Sequence, residues 1–166
     1  MSKIGIFYGS TTGNTESAAK KIKDILGVDA DIANVSSSSI EDMTKYDNLI
    51  LGSSTWGLGD IQDDWGTVIN KLSEADFSGK KVALFGTGDQ NAYTDTFVDA
   101  IGLLYEALEN SGAEFIGAWP SEGYEYSDSK AERNGMFVGL ALDEDNQAEM
   151  TDERIAKWVQ NLKQNL

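Results

Sequence analysis

Residues 3–26 read KIGIFYGSTTGNTESAAKKIKDIL. Lys3 to Tyr8 is a short run of aliphatic and aromatic residues, the signature of a buried strand. Gly9 to Thr15 holds only small, hydroxyl and amide side chains. Ala18, Ile22, Ile25 and Leu26 then recur on one face of a helix. Strand, small-residue turn and helix in that order make half of a βαβ unit, and the pattern continues downstream. Ala30–Val35, Asn48–Gly52, Lys81–Phe85 and Glu114–Ala118 predict four more strands. Val68, Ile69 and Leu72 mark a second helix, and Phe97, Ile101, Leu104, Tyr105 and Leu108 a third. Thr151 is placed to cap a last helix, opened by Asp152 and Glu153, with Ile155, Trp158, Val159 and Leu162 facing inward. Five strands alternating with four helices predict an α/β fold, a parallel sheet covered on both faces.

One stretch breaks the alternation. Trp119 to Val138 carries the single proline, two tyrosines, mixed charge and neither period, before Gly139–Leu142 turns strand-like again. It predicts a long ordered loop that interrupts the last strand, and loops of this length inside a compact fold are more often functional than not. At 166 residues the chain has room for one domain, residues 1–166, with a sizeable core.

Composition excludes much chemistry. Lys plus Arg is 13 and Asp plus Glu is 28, giving a formal charge of −15 with no histidine to moderate it. Nucleic acid and anionic membranes are poor partners for such a chain. Without His there is no imidazole base or ordinary zinc site, and without Cys no disulfide, thiolate nucleophile or iron–sulfur cluster. Redox work, if any, must sit on a bound organic cofactor. No signal-peptide pattern and no run of 18 apolar residues occurs, so a cytoplasmic protein without membrane insertion is expected. The strong self-repulsion favours a monomer.

In an open parallel sheet ligands collect at the carboxyl ends of the strands, so the loops there are the ones to inspect. After the first strand, Ser10-Thr11-Thr12-Gly13-Asn14-Thr15 offers hydroxyls and amides at a helix N-terminus, which suits an anionic phosphate or an ordinary capped turn. It is not a Walker A loop, since Asn14 stands where lysine is needed. After the third strand, Ser53 to Asp60 places Trp56 near Gly57 and Gly59, either at a loop tip or folded onto the core. After the fourth, Gly86 to Tyr93 offers a second aromatic, and its incomplete GxGxxG fails as a dinucleotide fingerprint. Two such aromatics could sandwich a flat heterocycle whose phosphate tail lies in the first loop. None of these loops contains Lys or Arg, and Asp60, Asp63, Asp64 and Asp89 are expected near the ring.

Taken together, Thr12-Gly13-Asn14-Thr15, Thr55-Trp56 with Gly59, Gly86-Thr87-Gly88-Asp89-Gln90 with Tyr93, and Phe137 to Gln147 (FVGLALDEDNQ) resemble the flavodoxin family, specifically its long-chain branch. The similarity runs over essentially the whole chain. The three-layer sandwich with strand order 2-1-3-4-5, and the flavin site where strand order reverses, belong to the resemblance and not to the spacing. It implies FMN as cofactor. Ser10, Thr11, Thr12, Gly13, Asn14 and Thr15 would cradle its phosphate, and Trp56 and Tyr93 would flank the isoalloxazine. Ser54, Thr55, Gly57, Leu58, Gly59, Thr87, Gly88, Asp89 and Gln90 would contact ring and ribityl chain, largely through backbone. The implied activity is one-electron carriage between semiquinone and hydroquinone in place of ferredoxin, without substrate turnover. The implied partners are ferredoxin–NADP reductase, photosystem I or nitrogenase-type proteins with basic surfaces. Departures from the family pattern include Ser54 for proline, Gly57 and Thr96 for asparagine, and Ala92 for glycine.

Two other readings share the topology. An FMN-dependent reductase would need a second pocket for nicotinamide, and no cationic group stands near the ring loops to hold its phosphate. A response-regulator receiver would need an acidic pair after the first strand, where Gly9-Ser10 stands. Asp143 to Asn146 fails the EF-hand pattern, because Ala148 and Arg154 occupy its glycine and glutamate positions, and reads as an acidic, solvated turn.

Overall fold

The computed structural model describes residues 3–27 and 30–166. Its central sheet is built from β1 (Ile4–Gly9), β2 (Ala30–Asn34), β3 (Asn48–Trp56), β5 (Lys81–Thr87), β6 (Glu114–Ile116) and β10 (Leu140–Leu142), in the order β2-β1-β3-β5, with β6 and β10 along the far edge of β5. These pairs are all parallel. β6 covers Lys81–Ala83 and β10 covers Phe85–Thr87, so the two are halves of one fifth strand. Counting them once gives the expected order 2-1-3-4-5. Residues between the halves fold into a small antiparallel sheet of β7 (Trp119–Pro120), β8 (Glu132–Arg133) and β9 (Met136–Phe137). The interruption of the last strand is therefore as the sequence predicts.

Alternate residues of the central strands enter opposite cores. Leu49 and Leu51 of β3, with Val82 and Leu84 of β5, join one cluster against α5 (Asp99–Leu108). Ile50, Ala83 and Phe85 join the other, with α1 (Asn14–Leu26) and α6 (Thr151–Lys163). A strand buried on both sides needs apolar residues without alternation, which is what LILG and VALF supply. Each fully buried Leu, Ile or Phe contributes roughly 1.5–3 kcal/mol. No helix among the described residues is long and apolar enough to cross a membrane.

Element ends depart from the sequence expectation in physical ways. β3 and β5 run on into stretches that read as loops, because Ser53 and Ser54 pair in register with Gly86 and Thr87. β4 (Asp60–Ile61) then folds back on Thr55 and Trp56. Val35 leaves the sheet for a 3-10 turn, Val35–Ser37. β6 stops at Ile116, and the next carbonyl, that of Gly117, accepts from Trp158 Nε1 at 2.7 Å. Phe97 is buried but precedes α5, since Val98 takes φ 47 and no helix runs through it. Val68 flanks α4 (Ile69–Glu74) without entering it. Thr151 does not cap α6. It lies inside the helix behind a 3-10 turn, Ala148–Met150, and no side chain bonds the helix start. Two short helices have no counterpart in the expectation, α2 (Ile40–Thr44), closed by a Ser39–Asp42 capping box, and α3 (Asp63–Gly66).

Candidate functional site

The carboxyl ends of β1, β3, β5 and β10 open on a cleft of about 210 Å³ lined by Thr12, Asn14, Ser54, Thr55, Trp56, Thr87, Gly88, Asp89, Tyr93, Glu144 and Asp145. Residues of three separate loops thus meet here, whereas Ser10, Thr11, Gly13, Thr15, Gly57, Leu58, Gly59 and Gln90 are not part of the lining. The first begins where β1 ends. Ser10 Oγ accepts from Gly13 N at 3.1 Å, folding the loop over, and α1 starts behind Gly13 with no side-chain cap. Its first-turn amides are left for an outside acceptor. Thr15 is fully buried, its hydroxyl 3.0 Å from that of Thr87, which ties the first loop to the end of β5.

Trp56 and Tyr93 keep 38% and 43% of their surface exposed while lining one cleft, so neither is folded into the core. Trp56 is held by its indole N–H, which donates to Ser54 Oγ at 2.8 Å. Its carbonyl accepts from Gly59 N at 3.1 Å, closing a tight turn in which Gly57 has φ +54. A positive φ at the first central position is what such a hairpin turn demands, and glycine supplies it without a Cβ clash. Leu58 stands at the tip, 90% exposed, and Gly59 packs against the Asp99 carboxylate.

Acidic groups surround the opening, though not all the expected ones. Asp89, Glu144 and Asp145 line it, whereas Asp60, Asp63 and Asp64 do not. Burial pushes the Asp89 carboxyl up, but N–H donors from Ala92, Asn146 and Asn91 outweigh this and leave it below the usual range. Asp145 is raised, first by burial and then by repulsion from Asp89, Asp143 and Glu144.

Gln90 points away from the cleft. It is buried, and its Nε2 donates to Asp143 Oδ2 at 2.6 Å while its Oε1 accepts from Glu125 N at 2.6 Å. Asp143 corrects the expectation of a solvated turn. It is fully buried, and its carboxylate accepts from the backbone N–H groups of Gln90, Asp145 and Asn146 and from the side chains of Gln90 and Asn146. Gln62 has a similar role on the other side. At 3% exposure it donates to Thr11 Oγ1 at 3.2 Å and to Asp64, and its N–H meets Ser53 Oγ. Neither residue is marked as special by its sequence neighbours, since the partners that define it lie on other loops.

Flavin mononucleotide joins a flat ring to a phosphate, and this cleft fits that shape. Two exposed aromatics flank its opening, and an uncapped helix start with neutral hydroxyls lies at its other end.

The family model described as Flavodoxin matches residues 6–158. A flavodoxin from Trichodesmium erythraeum is 54% identical, with 98% of this chain and 97% of that protein covered. Flavodoxin 1 of Escherichia coli is 48% identical over 100% of this chain and 96% of its own. Among solved structures, Fusobacterium nucleatum flavodoxin bound to flavin mononucleotide superposes with a TM-score of 0.95 at 35% identity, covering 100% of this chain and 99% of that one. Fold, loop geometry and full-length similarity agree, and the chain belongs to the flavodoxin family.

Proposed function

We propose that this protein is an FMN-containing one-electron carrier without substrate turnover, acting where ferredoxin would otherwise serve. The observation that carries the reading is the uncapped, cation-free start of α1 sharing one cleft with Trp56 and Tyr93. When bound, FMN supplies reversible one-electron chemistry that no side chain of a chain without His or Cys provides.

The chain's own residues set the surroundings of that chemistry. Amides from Thr11 to Thr15 and the hydroxyls of Ser10 and Thr12 hold the phosphate, with Gly13 and Asn14 shaping the turn and the buried Thr15 hydroxyl fixing it to Thr87. Trp56 and Tyr93 hold the ring between them. Backbone groups of Ser54, Thr55, Gly57, Leu58 and Gly59, and of Thr87, Gly88, Asp89 and Gln90, contact ring and ribityl chain. Asp89, Glu144 and Asp145 oppose added negative charge in the cleft, which favours a low potential for the final reduction. No lysine or arginine stands on these loops to offset them.

Residues 1–166 act as one unit, a cytoplasmic monomer that meets redox proteins through basic surfaces, of the ferredoxin–NADP reductase, photosystem I or nitrogenase type. Titrating FMN into the apoprotein tests the assignment. Flavin fluorescence should quench at one FMN per chain, and Thr12→Val with Thr15→Val should weaken binding, through a charge-assisted hydrogen bond of roughly 1.5–3 kcal/mol lost at Thr12 and the Thr15–Thr87 tie that sets the loop. Unchanged affinity in the double variant would remove the phosphate assignment. Sustained NAD(P)H oxidation by the pure protein would favour a reductase instead.

A further inference from the structure

Arg154 is 5% exposed, and no described carboxylate lies within 4.0 Å of it in a chain with 28 acidic residues. A guanidinium remains charged at every working pH. Here it lies over the Tyr124 ring, with Cζ 4.1 Å from the centroid, and Nη2 approaches Met150 Sδ at 3.5 Å. Nη1 has no partner. Tyr124 cannot supply the missing charge, because burial holds its hydroxyl at about 12. A buried ion with a ring face and a thioether for company is an anomaly in a protein with carboxylates to spare.

The anomaly is local. Three buried side-chain atoms lack a partner among the described residues, and Gln147 Oε1 and Thr151 Oγ1 are the other two. They stand on successive turns leading into Arg154. Gln147 Nε2 donates to the Gly123 carbonyl, and Arg154 Nη2 lies 3.8 Å from where a Cβ on Gly123 would stand, so these side chains converge on one point of the inserted segment.

Beside that point runs a groove of about 640 Å³ between the insertion and α6, and it shares no lining residue with the flavin cleft. Its volume falls in the range of small-molecule sites. Trp119, Pro120 and Met150 give it an apolar lining. Lys157 also lines it but is two-thirds exposed and paired at the surface with Glu153 at 3.0 Å, so Arg154 is the groove's buried cation without a carboxylate partner. Glu122 stands in the same lining, beside the Lys157–Glu153 pair, and opposes a second negative charge on any occupant. Chemistry of this kind selects a monoanion with a flat apolar body.

We propose that this groove is a second ligand site, taking a small aromatic or otherwise apolar monocarboxylate whose carboxylate pairs with Arg154. The carboxylate supplies the counter-charge that the chain withholds, and the apolar body lies against Trp119 and Pro120.

Benzoate titrated into the FMN-loaded, full-length protein at constant ionic strength provides the test, followed through the Trp119 indole N–H and Arg154 Nε–H resonances. A saturable shift with a dissociation constant of about 1–10 mM is expected for a ligand of this size. Benzamide, which has the same body and no charge, should bind at least tenfold more weakly, and so should acetate and inorganic phosphate. Arg154→Met should abolish the benzoate shift and leave flavin absorbance unchanged. No saturable shift overturns the proposal, and so does benzamide binding as tightly as benzoate. The wild-type comparison stands even if the variant fails to fold. Benzoate binding that survives intact in a folded Arg154→Met overturns it too, leaving Arg154 as a clamp on Tyr124.

Discussion

Asp99 begins α5 as a buried residue whose carboxylate has no ion pair within 4.0 Å among the described residues, although the Lys130 charge acts on it from farther away. Its exposure is 2%, and its Oδ1 accepts from Lys130 N at 2.8 Å. Burial raises its pKa above the ordinary aspartate value despite that hydrogen bond. Because the folded state holds this proton more tightly than the unfolded chain, stability falls as pH rises from the unfolded value near 4 through the raised folded one. Asp99→Asn keeps an oxygen for Lys130 and removes the ionisation. Urea denaturation should therefore show the variant at least as stable at neutral pH, with a flatter profile in the window just above pH 4. At Gly57 the relevant property is the backbone. A Cβ there meets φ +54 and comes 3.3 Å from Asp60 Oδ2, so Gly57→Ala should cost about 1 kcal/mol in the turn that carries Trp56. Fluorescence titration should record this as FMN affinity about fivefold weaker.

At the scale of elements, the insertion is a brace for the third loop. Ser127 N and Asp128 N donate to the Thr94 carbonyl, Glu125 N reaches Gln90 Oε1, and Ser129 Oγ bonds the Phe97 carbonyl. Gly102 in α5 makes the contact possible, since a Cβ there would fall on the Lys130 carbonyl. Joining Ile116 directly to Leu140 removes these bonds and should weaken FMN binding and raise proteolysis in residues 90–99. The insertion was legible as a break in the strand pattern, because Trp119 to Val138 shows neither period. Its brace was not, because every bond joins residues about thirty apart. Central strands were legible from unbroken apolar runs such as NLILG. Their continuations through Ser53–Trp56 and Gly86–Thr87 were hidden by small polar residues that only a paired neighbour turns into strand. α2 and α3, at five and four residues, are too short to show a helical period. The cleft itself was half legible. Trp56, Tyr93 and the hydroxyl loop declare themselves by composition, whereas Glu144 reaches the opening only through the register of β10, and Gln62 and Asp143 do their work out of sight of it.

Over the whole molecule, acidic groups crowd the cleft end of the sheet, whereas the strand-start end carries lysines together with Asp47 and Glu114. Lys3, Lys45, Lys80 and Lys81 stand where strands or their approaches begin, and Lys80 Nζ bonds the carbonyls of Thr44 and Tyr46 there. Asp89, Glu144 and Asp145 stand where strands end, around the cleft. Under the proposed function, a net charge of −15 with acidic groups at the cleft would turn the cleft toward a basic surface before contact. Electron transfer to a basic redox partner, followed by stopped flow, should slow steeply as ionic strength rises from about 0.01 to 0.15 M, where the Debye length falls from about 30 to 8 Å. Rates that stay flat across that range would leave steering without a role.

The divided fifth strand bears on how copies of this chain keep apart. A parallel sheet ends in two edges, and a long straight edge is a template on which another chain can add itself. Here the outer edge is cut into two pieces of three residues each, β6 and β10, separated by a folded excursion. Neither piece offers enough consecutive free N–H and C=O groups to seed a ladder. Fusing them would restore an uninterrupted edge, so a chain shortened in that way faces self-association as well as a looser flavin loop. The excursion that braces the cleft also shortens this edge of the sheet as a template for growth.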